Sequence, residues 1–152
     1  SRELSNRGID VAVLESDALR RILTPHPCYS EEERDVLYGA MAHVGRLLTE
    51  HGVPVIFDAT ANRRAHRDRA RQHIPQFVEV YVDCPLDVCI GRDPKGIYQK
   101  ARQGKATTVP GIQSTYEPPE NPEVIVRGDQ EAPEVAARRI VATLVEKGYL
   151  AG

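Results

Sequence analysis

Few folds accommodate the stretch FVEVYVDCPLDVCIGRDPKGIYQKARQGK, which runs from Phe77 to Lys105. It opens on Phe77, Val78, Val80, Tyr81 and Val82, a β-branched and aromatic run that reads as a mostly buried strand. It breaks at Cys84-Pro85, where proline favours a turn or the first turn of a helix. Beyond Pro85 the spacing changes. Leu86, Val88, Cys89 and Ile90 supply one apolar helical side, and Arg92, Asp93, Lys95, Lys100, Arg102 and Lys105 follow it. A strand that delivers dense cationic charge to a sheet edge is how many α/β enzymes place groups over a polyanionic ligand. Phosphate chemistry is therefore the first expectation.

A chain of 152 residues fits one domain of ordinary size. Its net charge of -2 gives no global attraction to nucleic acid or an acidic membrane. The arginines near Arg63 and Arg67 lack the aromatic series that stacks on bases, so no nucleic-acid partner is expected. No apolar run approaches the roughly 20 residues that cross a bilayer, and the start has no signal-peptide pattern. Cys28, Cys84 and Cys89 are odd in number and lack metal-binding spacing, which favours reduced thiols in a cytoplasmic protein.

Read in order, the chain alternates strands and helices. The opening residues read as the last turns of a helix that Gly8 terminates, Val11 to Leu14 read as a strand, and Asp17 falls at its carboxyl end. Asp17 either caps the helix of Ala18 to Leu23 or orients and deprotonates an attacking hydroxyl. The fork-shaped guanidinium of Arg20 suits phosphate or sulfate oxygens, or else a surface ion pair. Ser30 before Glu31, Glu32 and Glu33 is a capping pattern. It opens a long amphipathic helix whose apolar side reads as Val36, Leu37, Ala40, Met41, Val44, Leu47 and Leu48. Val53 to Phe57 form the next strand, followed by Asp58, Asn62 and Arg63, with Arg67 four residues further on. The span 104–120 reads as a substrate-covering loop, with Lys105, Gly111 and Ile112 as candidate ligand contacts. Val124 to Val126 make the last strand, and Val135, Ile140, Leu144 and Val145 one side of the last helix.

Three pieces together carry a family likeness: PLDVCIGRDPKGIYQKARQGK, the PGI of Pro110 to Ile112, and YEPPENPE from Tyr116 to Glu123. They resemble adenylylsulfate kinase, which phosphorylates the ribose 3′-hydroxyl of adenosine 5′-phosphosulfate with ATP. The resemblance implies an α/β three-layer sandwich with a mostly parallel sheet, the P-loop kinase fold, as a single domain over residues 1–152. It also implies ATP and Mg²⁺ as cofactors, a small-molecule acceptor, and room for a homodimer. Carried over residue by residue, Asp17 and Lys95 become the catalytic candidates, and Arg20, Arg34, Asn62 and Arg63 the acceptor contacts. Arg92 lies near ATP, and Asp58 resembles the acidic residue that positions magnesium, with a helix cap as the competing role.

The likeness is uneven on the acceptor side. Glu15 and Ser16 stand at the aspartate-containing turn, and Leu37, Gly39 and Ala40 where the family has asparagine and arginines. Asp58-Ala59-Thr60 replaces a serine-proline-tyrosine sequence, and Val109 an aromatic residue that stacks on adenine. A P-loop kinase also needs a glycine-rich loop ending in Lys-Ser or Lys-Thr, and none occurs in these 152 residues. The expectation is an N-terminally incomplete domain, lacking its first strand and that loop. The alternatives are a kinase for another small hydroxylated metabolite, or a noncatalytic nucleotide-binding or assembly domain.

Overall fold

The computed structural model describes residues 1–24, 26–104 and 108–151. The chain divides into two compact units, Ser1–Phe77 and Val78–Gly152.

In the first unit, α1 (Arg2–Ser5) ends before Gly8, whose φ of 75° makes the turn into β1 (Ala12–Glu15). Helix α2 (Ser16–Leu23) starts at the very next residue. Then come α3 (Glu31–Glu50), β2 (Val55–Asp58) and α4 (Arg64–His73). Strands β1 and β2 pair in parallel, with Ala12 opposite Val55 and Glu15 opposite Asp58. A parallel pair needs a long crossover, and α2 and α3 supply it.

Ser30 caps α3 as its sequence predicts: its hydroxyl oxygen accepts from the Glu33 N–H at 3.2 Å. The reciprocal half of a capping box is displaced, because the Glu33 carboxylate reaches past Ser30 to the N–H groups of Cys28 and Tyr29. The buried stripe of α3 is Leu37, Tyr38, Met41, Ala42 and Gly45. This corrects the expected stripe, since Val36 is 64% and Leu47 41% exposed. The rotation has a steric cause at Gly45, where an added Cβ would lie 2.2 Å from Phe57 Cζ. Only glycine lets α3 approach the strand on that side, so its neighbours at helical spacing turn inward. Leu37, Tyr38 and Met41 pack with Leu14, Leu19, Phe57, Ala59 and Ala61. Leu37 and Met41 are essentially enclosed, each worth roughly 1.5–3 kcal/mol of transfer free energy.

In the second unit, β3 (Val80–Asp83) pairs in parallel with β4 (Val124–Arg127), Val80 opposite Val124 and Asp83 opposite Arg127. Helices α5 (Leu86–Arg92) and α6 (Ile97–Arg102) follow β3, and α7 (Pro133–Glu146) follows β4. Strand β4 alternates, burying Val124 and Val126 against Ala136 and Ile140 of α7 together with Val78 and Val80. The strand expected to be mostly buried is shorter and wetter than its sequence suggests. That core reaches Val80 but not Val82, which is 63% exposed. No helix among the described residues is long and apolar enough to cross a membrane.

Candidate functional site

In parallel α/β sheets, ligands gather beyond the carboxyl ends of the strands. At that edge of the first unit the register sets Glu15 and Asp58 side by side, both exposed. Asp17 is also exposed, two residues past Glu15 in the first turn of α2. The capping role weighed for Asp17 does not apply. The N-cap is Glu15, because β1 runs into α2 without a linker and Asp17 is already helical. Asp58 does not cap α4 either, since that position belongs to Arg63. Among the described residues, no group of three or more His, Cys, Asp or Glu side chains could hold a metal ion.

Arg20 is not a surface group. It is 7% exposed and ion-paired with Glu33 at 2.5 Å, and its guanidinium lies 4.8 Å from the centroid of the Tyr29 ring. Glu33 also accepts from Cys28 N at 2.7 Å, Tyr29 N at 3.1 Å and Cys28 Sγ at 3.1 Å. Burial pushes the Glu33 carboxyl up, but these donors and Arg20 together pull it further down, so it titrates below its ordinary value. Arg34, 4% exposed, donates from Nε to Tyr29 O at 3.2 Å. Tyr29 has a φ of 57°, unusual for a residue with a side chain, and bonds on both its N–H and its carbonyl hold it there.

The segment after β2 is built the same way. Asn62, expected as an acceptor contact, is fully buried. Arg63 pairs through Nε with Glu31 at 3.1 Å, with its side chain 36% exposed. Arg63 and Arg67 do not share a helical face as their spacing suggests, because the helix begins only at Arg64. Arg67 instead donates to Ala61 O at 2.6 Å, and Ala61 N donates to Tyr38 Oη at 3.1 Å. His66 is 6% exposed, with its ring 4.6 Å from that of Tyr38 and its Nε2 3.9 Å from Asp35. Burial lowers its pKa, and Arg69 and Arg34 lower it further against the pull of Asp35 and Glu31. Sequence reasoning missed Glu33, Tyr38 and His66 as organisers. Ser30-x-x-Glu33 was the available signal for the first, whereas nothing local marks the other two.

In the second unit, Arg92 is exposed and donates to Gly128 O at 2.7 Å. Lys95 is exposed in the turn between α5 and α6. That turn is fixed by Asp93, whose carboxylate accepts from Tyr98 N at 3.2 Å and Gln99 N at 2.9 Å, and by Gly96 at φ 64°. Burial pushes the Asp93 carboxyl up, but these backbone donors and Arg102 hold it below its usual value. Val109 is 7% exposed and its carbonyl closes a turn with the N–H groups of Ile112, Gln113 and Ser114. Gly111, at φ 86°, and Ile112 stand exposed on this turn. Lys105 lies outside the described residues.

The adenylylsulphate kinase family model matches residues 1–127. The chain belongs to the adenylylsulphate kinase family. An adenylyl-sulfate kinase of Rippkaea orientalis is 42% identical over 99% of this chain and 83% of its own length. One from Halothermothrix orenii is 38% identical over 98% of this chain and 80% of its own. Among solved structures, the APS kinase of Mycobacterium tuberculosis in complex with AMPPNP and APS superposes with a TM-score of 0.86. It is 35% identical, over 95% of this chain and 85% of that one. The α/β architecture with parallel strands is accordingly the P-loop kinase fold of this family. The neighbouring carboxylates of Glu15 and Asp58 are hard oxygen donors of the kind that could hold a magnesium ion. Mg²⁺ takes one or two carboxylates, keeps several waters, and shares substrate phosphates.

Proposed function

We propose that the chain transfers the terminal phosphoryl group of ATP to the 3′-hydroxyl of adenosine 5′-phosphosulfate, giving 3′-phosphoadenosine 5′-phosphosulfate and ADP. The observation that carries this reading is the family match over residues 1–127, which spans the acidic edge of β1–β2 and the RDPKG turn. In the transfer, the acceptor oxygen forms a bond to the terminal phosphorus while the bond to the bridging oxygen breaks. Asp17 orients the hydroxyl and receives its proton, and Lys95 neutralises charge on the transferring group. Arg20, Arg34 and Arg63 hold the anionic part of the acceptor, with Asn62 setting the turn behind Arg63. Arg92 serves the nucleotide, and the exposed turn that carries Gly111 and Ile112 lines the acceptor. Mg²⁺ held at Asp58 would neutralise the nucleotide phosphates. The reading carries a cytoplasmic location with it, which the three free cysteines support.

A kinase for another small hydroxylated metabolite is the second reading, favoured by one feature of α3. Leu37 is 1% exposed, and Arg69 Nη1 would lie 2.8 Å from a Cβ at Gly39, so neither position offers the acceptor a polar side chain. The test supplies the full encoded polypeptide with Mg-ATP and adenosine 5′-phosphosulfate, and follows ADP and the phosphorylated product separately. Asp17→Asn and Lys95→Ala are each expected to lower kcat by about 10²–10⁴-fold. Full turnover by both variants would sink their roles, and ADP release only with a different acceptor would sink the named substrate.

A further inference from the structure

Ala61 is one of two non-glycine residues among the described residues whose φ, here 39°, lies in the left-handed range above about 20°. A left-handed backbone is unfavourable for a residue with a Cβ, and it persists only where the surroundings over-determine it. Here they do so from both sides. Tyr38, on α3, accepts from the Ala61 N–H at 3.1 Å, and Arg67, on α4, donates to the Ala61 carbonyl at 2.6 Å. Tyr38 is itself immobilised, being 5% exposed and packed at a 37° tilt against the His66 ring, 4.6 Å between centroids. Ala61 sits three residues after Asp58 and two before Arg63, so its conformation fixes where the chain leaves the sheet edge and where Arg63, the N-cap of α4, is placed.

We propose that Tyr38 and Arg67 are positioning residues for acceptor binding, a two-sided clamp that holds Ala61 left-handed and thereby aims Arg63. This rests on the phosphoryl-transfer reading for its functional part and on the backbone geometry alone for its structural part. The clamp acts before the reaction: a turn already held in its binding shape loses less freedom when the acceptor arrives. Its signature is therefore in acceptor KM rather than in kcat.

Tyr38→Phe in the full encoded polypeptide removes the hydroxyl and keeps the ring over His66. Loss of one hydrogen bond that presets the turn corresponds to about a fivefold rise in acceptor KM, with kcat and the KM for ATP within about twofold. Adding Ala61→Gly should return KM to within about twofold of the unsubstituted protein, because glycine adopts positive φ without help. A purely structural tyrosine would lower stability without that rescue. Amide hydrogen exchange supplies an arm independent of substrate: protection at Ala61 N–H should fall in Tyr38→Phe. Unchanged protection would overturn the clamp, and lost protection with unchanged acceptor KM would overturn its positioning role. If the unsubstituted protein leaves adenosine 5′-phosphosulfate untouched while protection behaves as expected, the acceptor reading fails and the clamp stands.

Discussion

Replacing Glu33 by glutamine should cost this protein far more than a surface carboxylate would. The substitution keeps the shape of the side chain and removes its charge, leaving Arg20 without the partner it holds at 2.5 Å. Both side chains are only 9% exposed, so water cannot take over. Removing one member of a buried ion pair typically costs about 3–5 kcal/mol, most of it the uncompensated charge left behind. The lower end applies here, about 3 kcal/mol, because the amide oxygen can still accept from Cys28 and Tyr29. For a chain of this length that corresponds to a fall in Tm of roughly 6–12 °C by calorimetry. Arg20→Met added to Glu33→Gln should recover part of the loss, since an apolar pair needs no counter-charge. The pH dependence has a definite sign as well. The folded carboxyl titrates below its unfolded value near 4.5, so the contribution is complete above that pH and fades as pH falls through the folded pKa. A Tm within 2 °C of the unsubstituted protein, or identical acid limbs in the two proteins, would refute the reasoning; the 2 °C limit is set by the roughly 2–4 °C expected per kcal/mol.

His66 predicts a second acid sensitivity at higher pH. Burial holds its folded pKa below 6.5, so below that value the unfolded chain binds a proton that the folded one refuses, and stability falls toward the folded pKa. Urea unfolding should show a slope of at most about 1.4 kcal/mol per pH unit there, flattened in His66→Phe; equal slopes would exclude His66 as the cause. Gly45→Ala and Gly39→Ala should separate sharply in urea midpoint. The first drives a Cβ to 2.2 Å from the Phe57 ring, an overpacking cost of roughly 1–3 kcal/mol or more. The second meets only the flexible end of Arg69 at 2.8 Å, so a gain in helix propensity of up to about 1 kcal/mol offsets any lost ion pair with Asp35. Equal effects from the two would contradict the account of how α3 seats.

The fold is legible where the chain decides locally. Ser30 starts α3, Gly8 turns the chain into β1, and the apolar alternation of Val124 and Val126 marks β4. What escapes is set by contacts distant in sequence. The periodic residues of α3 suggest a stripe that includes Val36 and Leu47, and the true stripe depends on a glycine meeting a phenylalanine twelve residues later. Strand ends slip for a similar reason: β2 runs on to Asp58 because its backbone pairs with Glu15, and carboxylates in a sequence do not announce a ladder. The position of Asp17 past the end of β1 was readable because the apolar run of Val11 to Leu14 stops just before it, whereas the catalytic roles of Asp17 and Lys95 came only from the family resemblance. Tyr38 and His66 were not readable, since a helical tyrosine and histidine read alike whether they face core or solvent.

The arginines of the first unit show what a list of cationic residues leaves out. Arg20 answers Glu33, Arg34 and Arg67 answer the carbonyls of Tyr29 and Ala61, Arg63 answers Glu31, and Arg69 answers Asp35. An arriving phosphate or sulfate therefore exchanges partners rather than filling a vacancy, and the cost of exchange differs from one arginine to the next. The Arg63–Glu31 pair has side chains 36% and 49% exposed, and such pairs are worth about 0–1 kcal/mol, so displacing Glu31 from Arg63 costs an arriving anion little. Arg20 cannot be taken that way, because freeing it would strand Glu33 in a buried position beside the backbone it organises. Under the proposed acceptor reading, recruitment would therefore fall first on Arg63, the residue that the proposed Ala61 clamp aims, while Arg20 would act from a fixed position with its partner retained.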